Sequence, residues 1–194
     1  MEPVDLQVVV PGARSWAEVR SAHPDAMDAL FARWMGDVLQ WCRRLGGPTV
    51  DADHAAQDVY IVVLQRIHTV ERPGQLPSWL FSVTRRVLAQ HRRKAWVRRW
   101  VPGLAPDGPD PRPGPGAAAG LSERARVVHE LLAELPEELR EVLVLCDVEE
   151  RSDPEVADML GLKVGTAKSR LRRARMRFRE LALARGLGLD EVGT

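Results

Sequence analysis

Apolar residues recur at steps of three and four along most of the chain, a period that predicts helices rather than strands. The widest apolar stripe covers residues 30–45 and ends at the Gly-Gly-Pro run that follows it. A second helix is predicted from about Asp51 to His68, and a third begins at about Ser78. The first 22 residues are weakly patterned, although Trp16 and Val19 suit a short helix.

This helical pattern stops at residues 101–120, where six prolines and five glycines leave no stretch that could propagate a helix. A polyproline-like segment of this length reaches roughly 60 Å, so it can hold two domains well apart. The expected organisation is a helical domain over residues 1–100, a flexible linker over 101–120 and a second helical domain over 121–194.

The second domain begins with two amphipathic stretches separated by Pro136, which suits a first-turn position. Ser152 and Glu155 then form an S-x-x-E capping box, and Gly161 is placed to end that short helix in the left-handed conformation. Since no β-pattern and no internal repeat is found, the predicted fold is all-α, with two small helical domains.

A last helix is predicted from about Val164, and its faces separate by spacing. The face that steps by four, three and four residues is apolar and should pack inward: Ala167, Leu171, Ala174 and Phe178. The other sides carry seven cations between Lys168 and Arg179 with no acid among them. A short helix, a glycine turn and a cationic helix together indicate a helix-turn-helix, whose second helix fits the DNA major groove.

Within this helix, Lys168, Ser169, Arg172 and Arg173 are expected to read or position DNA. The later cations, Arg175, Arg177 and Arg179, either anchor phosphates or form ordinary solvated surface, and the sequence leaves both open.

Charge is segregated along the chain although the formal net charge is only +1. Residues 1–70 and 121–162 are rich in acids, whereas residues 85–99 hold seven cations and no acid. Aromatic residues accompany this first basic block, a mixture typical of single-strand binding, although Trp79 is better interpreted as a core residue. Those aromatics are Trp79, Phe81, Trp96 and Trp100.

Catalytic and metal chemistry find little support. The five histidines are scattered, and Cys42 and Cys146 are isolated in apolar helical patterns, as expected for buried small hydrophobes. No metal, cofactor or catalytic site is predicted. Without a signal peptide pattern or an apolar run of about 18 residues, the chain is expected in the cytoplasm.

Three stretches, "DADHAAQDVYIVVLQRI", "SWLFSVTRRVLAQHRRK" and "LPEELREVLVLCDVEERSDPEVADMLGLKVGTAKSRLRRAR", together resemble the extracytoplasmic-function (ECF) sigma factors of bacterial RNA polymerase. The resemblance covers about residues 26–100 and 122–183. It implies a sigma region 2 followed by a region 4, which bind core polymerase through its β′ clamp helices and β flap. It also implies promoter DNA and an anti-sigma factor as partners.

The resemblance also implies roles for individual residues. Docking on the clamp helices would fall to Asp53, Gln57 and Asp58. The loop from Arg72 to Pro77 would capture a flipped base of the −10 element, with the helix beside it contributing; this set is Arg72, Gln75, Ser82, Arg85, Arg86, Gln90 and Arg93. The −35 element would be read by Lys163, Thr166, Lys168, Ser169, Arg172 and Arg173.

This sequence departs from the family pattern at four of these places. His54 and Ala55 stand where an acid and a leucine are usual, and Arg86 stands where asparagine is frequent. Lys163 replaces the small polar residue that commonly caps the recognition helix, and our hypothesis is that it reaches a phosphate instead.

Two other classes of protein match parts of this sequence. A stand-alone helix-turn-helix regulator would explain residues 152–180 equally well, but it leaves residues 51–100 unexplained and calls for a dimeric half-site. An enzyme would need a cluster of carboxylates or histidines in a pocket, and the sequence offers none that is better than a solvated helix face.

Overall fold

The protein is described by a computed structural model for residues 6–100 and 123–187. Within these ranges every regular element is helical, which confirms the all-α prediction. The first part contains α1 (Leu6–Val9), α2 (Trp16–Arg20), α3 (Pro24–Gly46), α4 (Ala52–Arg66) and α5 (Leu76–Trp100). The second part contains α6 (Glu123–Glu134), α7 (Glu137–Leu143), α8 (Asp153–Leu160) and α9 (Val164–Ala184).

Helices α3, α4 and α5 pack on one another and form the first module. The apolar stripe of α3 is buried as predicted, and the helix is six residues longer at its N-terminus because Pro24 supplies a suitable first-turn residue. Two single-turn 3₁₀ helices, Ile67–Thr69 and Pro73–Gln75, connect α4 to α5. Helices α1 and α2 lie against this core, where the Trp34 indole donates to the Val9 carbonyl at 2.7 Å.

In the second module, α9 packs across α6, α7 and α8. The capping box between Ser152 and Glu155 is present, and Gly161 ends α8 with φ of 65°, so both predictions are confirmed. Pro136 is one residue earlier than predicted, at the N-cap of α7. Helix α7 then widens into a π-helical turn at Val144–Val148, so this amphipathic stretch is less regular than its sequence period suggests.

The two modules are in direct contact. The predicted linker, residues 101–120, lies outside the described residues, and the sequence left the arrangement of the two domains open. Buried apolar side chains of both modules form one continuous cluster, which runs from Leu30 and Leu88 to Leu132 and Val142. The reason is that α8 packs on α5 while α6 and α7 pack on α3.

Arg140 is the polar centre of this contact. It lies on α7 and is 8% exposed, and its guanidinium donates to the Leu45 carbonyl at the C-terminal end of α3 at 2.9 Å. It also donates to the carbonyls of Ala133 and Leu135. The last carbonyls of a helix lack partners within the helix, so a cation from the other module satisfies one here. Burial, followed by the nearby Arg92 charge, lowers the pKa of Arg140.

Alanine substitutions at two glycines of the helix-turn-helix should have opposite effects on the free energy of unfolding. Gly161 has a positive φ, so Gly161→Ala should lower the free energy of unfolding by about 1 kcal/mol. Gly165 lies inside α9 with open space around its Cα, so Gly165→Ala should leave stability unchanged or raise it by up to about 1 kcal/mol. Urea denaturation of the full chain measures both, and equal losses would contradict the assigned backbone conformations.

Candidate nucleic-acid interface

The N-terminal half of α9 presents the predicted duplex-reading surface. Its inner face is buried at Ala167, Leu171 and Ala174, with Phe178 half-buried, as the spacing predicts. The predicted −35 residues lie on the remaining faces: Lys163, Lys168, Ser169, Arg172 and Arg173 are exposed and Thr166 is half-buried. Lys163 occupies the N-cap, where an ammonium group cannot accept a backbone N–H, and its side chain is exposed and can reach a phosphate.

Acids from other elements neutralise part of this helix, which the local sequence does not reveal. Arg175 binds Asp147 through Nε and one terminal nitrogen, at 2.9 and 2.6 Å, and Arg170 binds Glu138 at 3.0 Å. Lys168 pairs with Asp153, and within the helix itself Arg177 pairs with Glu180. Arg172 and Arg173 have no acidic partner among the described residues, and they face solvent in the N-terminal half of the helix. These two are therefore the strongest candidates for contacts with DNA.

The loop before α5 is held in a defined shape. The Gln75 side-chain oxygen accepts the Arg72 backbone N–H at 3.2 Å, which closes the 3₁₀ turn. The Trp16 indole donates to the carbonyls of Val70 and Glu71, and Arg20 donates to the His68 carbonyl. An N-terminal segment with a weak sequence pattern thus fixes the backbone that leads into the predicted base-capturing loop.

The predicted −10 residues on α5 are divided by the second module. Arg86, Gln90 and Arg93 are exposed and Ser82 is half-buried. Arg85, in contrast, donates to the Glu141 carboxylate at 2.5 Å. One of the predicted −10 residues therefore pairs with Glu141, an acid to which the sequence analysis gave no role.

A cleft of about 600 Å³ lies between the loop and the second module. The first module lines it with residues that include Gln75, Ser82 and Arg85, and the second lines it with residues 158–161 at the end of α8. The predicted −10 surface is thus covered in part by the helix-turn-helix module of the same chain.

Glu141 is an unusual carboxylate because it is 2% exposed. Burial raises its pKa, while the charge and hydrogen bond of Arg85 act in the opposite direction. A buried charge is tolerated when a partner compensates it, so Arg85 is the group that makes this position acceptable. The excess of acids in residues 121–162 was the available sequence signal, but it could not identify which acid is buried.

The outer face of α4 is the predicted polymerase-docking surface. Asp53 and Gln57 are exposed there, with Asp53 at 3.7 Å from Arg43. Asp58 lies instead toward α5, where its carboxylate contacts the His91 ring at 2.8 Å. Since this carboxylate is occupied within the module, its predicted place on the docking surface has little geometric support.

Two apolar side chains on α4 were missed by the sequence reasoning. Ile61 and Leu64 are 49% and 40% exposed, beside Gln57. The signal was the run "YIVVLQ", which holds more apolar residues than one helix face can bury. Of the departures from the family pattern, Ala55 is fully buried, while the exposed His54 packs edge-on against His91 at 5.5 Å between ring centroids.

The aromatic residues of the first basic block have different roles. Phe81 is fully buried and meets Trp41 edge to face at 5.1 Å, so it is a core residue. Trp79 is half-buried against the core, as interpreted from the sequence, and Trp96 is 63% exposed. The side chain of Trp100 lies outside the described residues. Trp96 is therefore the described aromatic that could stack on a base.

Neither thiol is activated. Cys42 is buried, and burial raises its pKa to about 12; Cys146 is half-buried, and burial raises its pKa to about 11. The described part of the chain contains no group of three metal-ligating side chains. In the same ranges no helix is long and apolar enough to cross a bilayer.

The fold and these surfaces define a two-module helical protein with two cationic faces and a helix-turn-helix. Two protein-family models match it: sigma-70 region 2 over residues 30–98 and sigma-70 region 4 over residues 125–178. These ranges correspond to the two modules described above.

Similar proteins show to which group of sigma-70 factors the chain is related. The chain is 31% identical to the ECF RNA polymerase sigma factor SigM of Mycobacterium tuberculosis, over 93% of this chain and 88% of SigM. It is 30% identical to the ECF sigma factor SigE of Mycolicibacterium smegmatis over 86% of this chain, although it spans only 61% of SigE. The structure of CnrH in complex with the cytosolic domain of CnrY matches with a TM-score of 0.65 and 25% identity, covering 93% of this chain and 99% of CnrH. The chain belongs to the ECF sigma factors of RNA polymerase.

Arg172 and Arg173 lead to a prediction about DNA binding. The double change Arg172→Ala and Arg173→Ala should weaken duplex binding about ten-fold or more and reduce the salt slope by about 1 to 2, because cations near the tip of α9 are lost. Fluorescence anisotropy across a salt series measures both. The double change Arg14→Ala and Arg66→Ala removes the same charge from exposed sites on the first module, and an equal loss there would reduce the effect to net charge alone.

Proposed function

We propose that this chain is an alternative sigma factor, which binds core RNA polymerase and directs it to particular promoters. One observation carries the proposal: a single chain joins two cationic surfaces, on α5 and α9, to a helix, α4, whose outer face exposes polar and apolar side chains. The functional units are residues 1–100, which dock and open DNA, residues 101–120, which link, and residues 121–194, which read duplex DNA. An initiation factor of this kind needs no catalytic group of its own.

The docking unit uses α4. Its exposed face combines the polar side chains of Asp53 and Gln57 with the apolar Ile61 and Leu64. An apolar centre with a polar rim is the usual composition of a protein interface. We assign this face to the β′ clamp helices of the polymerase, with Asp58 acting inside the module through His91. The β flap is the corresponding site for the second module.

The opening unit uses the loop from Arg72 to Pro77 and the adjoining face of α5. A flipped base loses a few kcal/mol of stacking, which contacts in the loop must offset. Ser82 and Gln90 supply polar groups beside the loop, and Arg85, Arg86 and Arg93 supply charge for the backbone. The exposed Trp96 adds a ring on the same helix. Arg86, in place of the frequent asparagine, contributes a charged donor to −10 recognition.

The duplex-reading unit uses the tip of α9. Thr166, Lys168, Ser169, Arg172 and Arg173 lie where a recognition helix meets base edges of the −35 element. Lys163 precedes them at the N-cap, where its charge is placed to meet a phosphate. Both promoter elements are thereby read by one chain.

An anti-sigma factor is the expected regulatory partner. The related CnrH has been solved with the cytosolic domain of CnrY, and a similar chain should offer comparable surfaces. Since core polymerase and promoter DNA are cytoplasmic in bacteria, we place the protein in the cytoplasm. Burial raises the pKa of both thiols, which argues against direct redox sensing by this chain.

The test is run-off transcription from a panel of promoters with core polymerase, with and without the protein. Transcripts should appear only when it is added. Ile61→Ser should reduce them about ten-fold by weakening polymerase docking, whereas Leu183→Ser, which changes a comparably exposed apolar residue on α9, should reduce them much less.

Sequence-specific DNA binding without any core-dependent transcript would identify a stand-alone regulator instead. In that case Ile61→Ser would leave DNA binding unchanged, and the exposed face of α4 would have no role in polymerase recruitment.

A further inference from the structure

Among the residues that the structure describes, three ion pairs cross between the two modules, and each joins a cation of the first to an acid of the second. Arg85 pairs with Glu141 at 2.5 Å, Arg92 pairs with Glu137, and Arg44 pairs with Glu149 at 3.4 Å. Glu137 and Glu141 occupy successive turns of α7, so one face of a short helix neutralises one face of α5. Both Arg85 and Arg92 belong to the first basic block.

We propose that the free chain is held closed by a charge latch, in which α7 carboxylates occupy cations of α5 that −10 DNA requires. The inference rests on the proposed −10 role of this face. Closing and −10 binding then exclude one another, because Glu141 holds the Arg85 guanidinium and residues 158–161 of the second module line the same cleft beside the base-capturing loop. The second module acts as the chain's own competitor for the DNA.

The latch covers the −10 face of α5 and leaves the docking face of α4 and the −35 surface of α9 exposed. Glu141 is almost fully buried, and α8 lies over α5 beside the predicted base-capturing loop. Gln57, Ile61 and Leu64 on α4 stay exposed in the closed chain, as do Arg172 and Arg173 on α9. Closing therefore masks −10 recognition while the polymerase-docking face and the −35 surface remain available.

This selectivity gives polymerase a role in opening. A closed chain can still dock through α4, and a partner that binds both modules at a distance favours the open form. If the open form is a tenth of the population, the apparent affinity for −10 DNA is about ten-fold below its intrinsic value. Premature binding of single-stranded DNA by the free factor is reduced by the same ratio.

The decisive variant is Glu141→Ala, with Glu138→Ala as its matched control. Both remove a carboxylate from α7, but Glu138 is half-exposed and pairs with Arg170 of its own module. Glu141→Ala leaves no buried charge behind, because Arg85 is 38% exposed and can be hydrated. Small-angle X-ray scattering of the full chain should give a radius of gyration near the value of about 16 Å typical of compact chains of this length for the wild type and Glu138→Ala. It should rise for Glu141→Ala.

Binding provides the second readout. Glu141→Ala should bind a short fluorescent single-stranded DNA of mixed sequence about 5- to 10-fold more tightly than the wild type, within the usual range of coupling between sites. Its affinity for duplex DNA should be unchanged. An unchanged radius together with unchanged single-strand affinity would overturn the latch.

Exchanging the charges of Glu141 and Arg85 distinguishes loss of the ion pair from a folding defect. Glu141→Arg should open the chain by placing two cations together, and the double variant Glu141→Arg with Arg85→Glu should restore the compact radius. Failure of the exchange to restore compactness would mean that the pair does not hold the closed form. Scattering needs no promoter, so the latch is tested even if run-off transcription fails. If only the single-strand affinity fails to respond, the latch exists but the assigned −10 face is wrong.

A second inference comes independently from Trp16. We infer that Trp16 is a positioning residue for −10 specificity. Its indole N–H is shared between the carbonyls of Val70 and Glu71, at 3.3 and 3.0 Å, directly before the loop from Arg72 to Pro77. These two carbonyls lie 54 and 55 residues away in sequence, so the bond ties the N-terminal segment to the loop's entry. The assignment of that loop is the proposed one.

Trp16→Phe keeps an aromatic ring but removes the donor, so it should loosen the loop. Hydrogen exchange of residues 70–75 should accelerate, and run-off discrimination between promoters that differ at one −10 position should fall about ten-fold. Ser15→Ala is the control, since it removes the N-cap of α2 without touching the indole. A Trp16→Phe protein that is less stable but exchanges and discriminates like the control would reduce Trp16 to a packing residue. Faster hydrogen exchange of residues 70–75 without any core-dependent transcript would mean that Trp16 positions the loop but that the proposed function is wrong.

Discussion

The contact between the two modules is the constraint on which the rest of this structure depends. At its polar centre is the buried guanidinium of Arg140. It starts on α7 and ends at the C-terminus of α3, where it satisfies the Leu45 carbonyl. A buried cation is costly unless its donors meet oxygens, and here the two terminal nitrogens donate to three backbone carbonyls, while Nε has no partner among the described residues. Because two of them belong to the second module and one to the first, the modules must lie together for the set to be complete. The apolar cluster that continues across the boundary then follows from this placement.

That contact places the acidic face of α7 against the basic face of α5. The same cations thereby have two possible partners, the chain's own carboxylates and the phosphates of DNA. Near a protein surface such pairs contribute modestly, but at low exposure each one fixes geometry as well as charge. Competition of this kind lets a sigma factor carry a strong DNA-binding surface without using it continuously, and its balance is set by a few residues on one short helix.

The helix-turn-helix is arranged differently. Acids pair with Arg170 and Arg175, while the exposed Arg172 and Arg173 have no acidic partner among the described residues. Pairing thus concentrates the positive potential of a heavily cationic helix at the place where DNA would enter. Helix α4 likewise has both paired and exposed side chains. Asp58 contacts His91 within the module, whereas the neighbouring Gln57, Ile61 and Leu64 face outward.

Local pattern was sufficient for much of this protein. Periodicity predicted the main helices, the S-x-x-E box predicted the start of α8, and Gly161 its end, since each depends on residues only a few positions apart. The family followed from the order of three such stretches. Contacts between distant residues could not be predicted in this way: the occupation of Asp58 by His91, of Arg175 by Asp147 and of Arg85 by Glu141 spans 28 to 56 positions. Sequence alone therefore determined which helices form and which faces are charged, whereas only the tertiary structure decided which charges are already paired, because pairing depends on distances that packing sets.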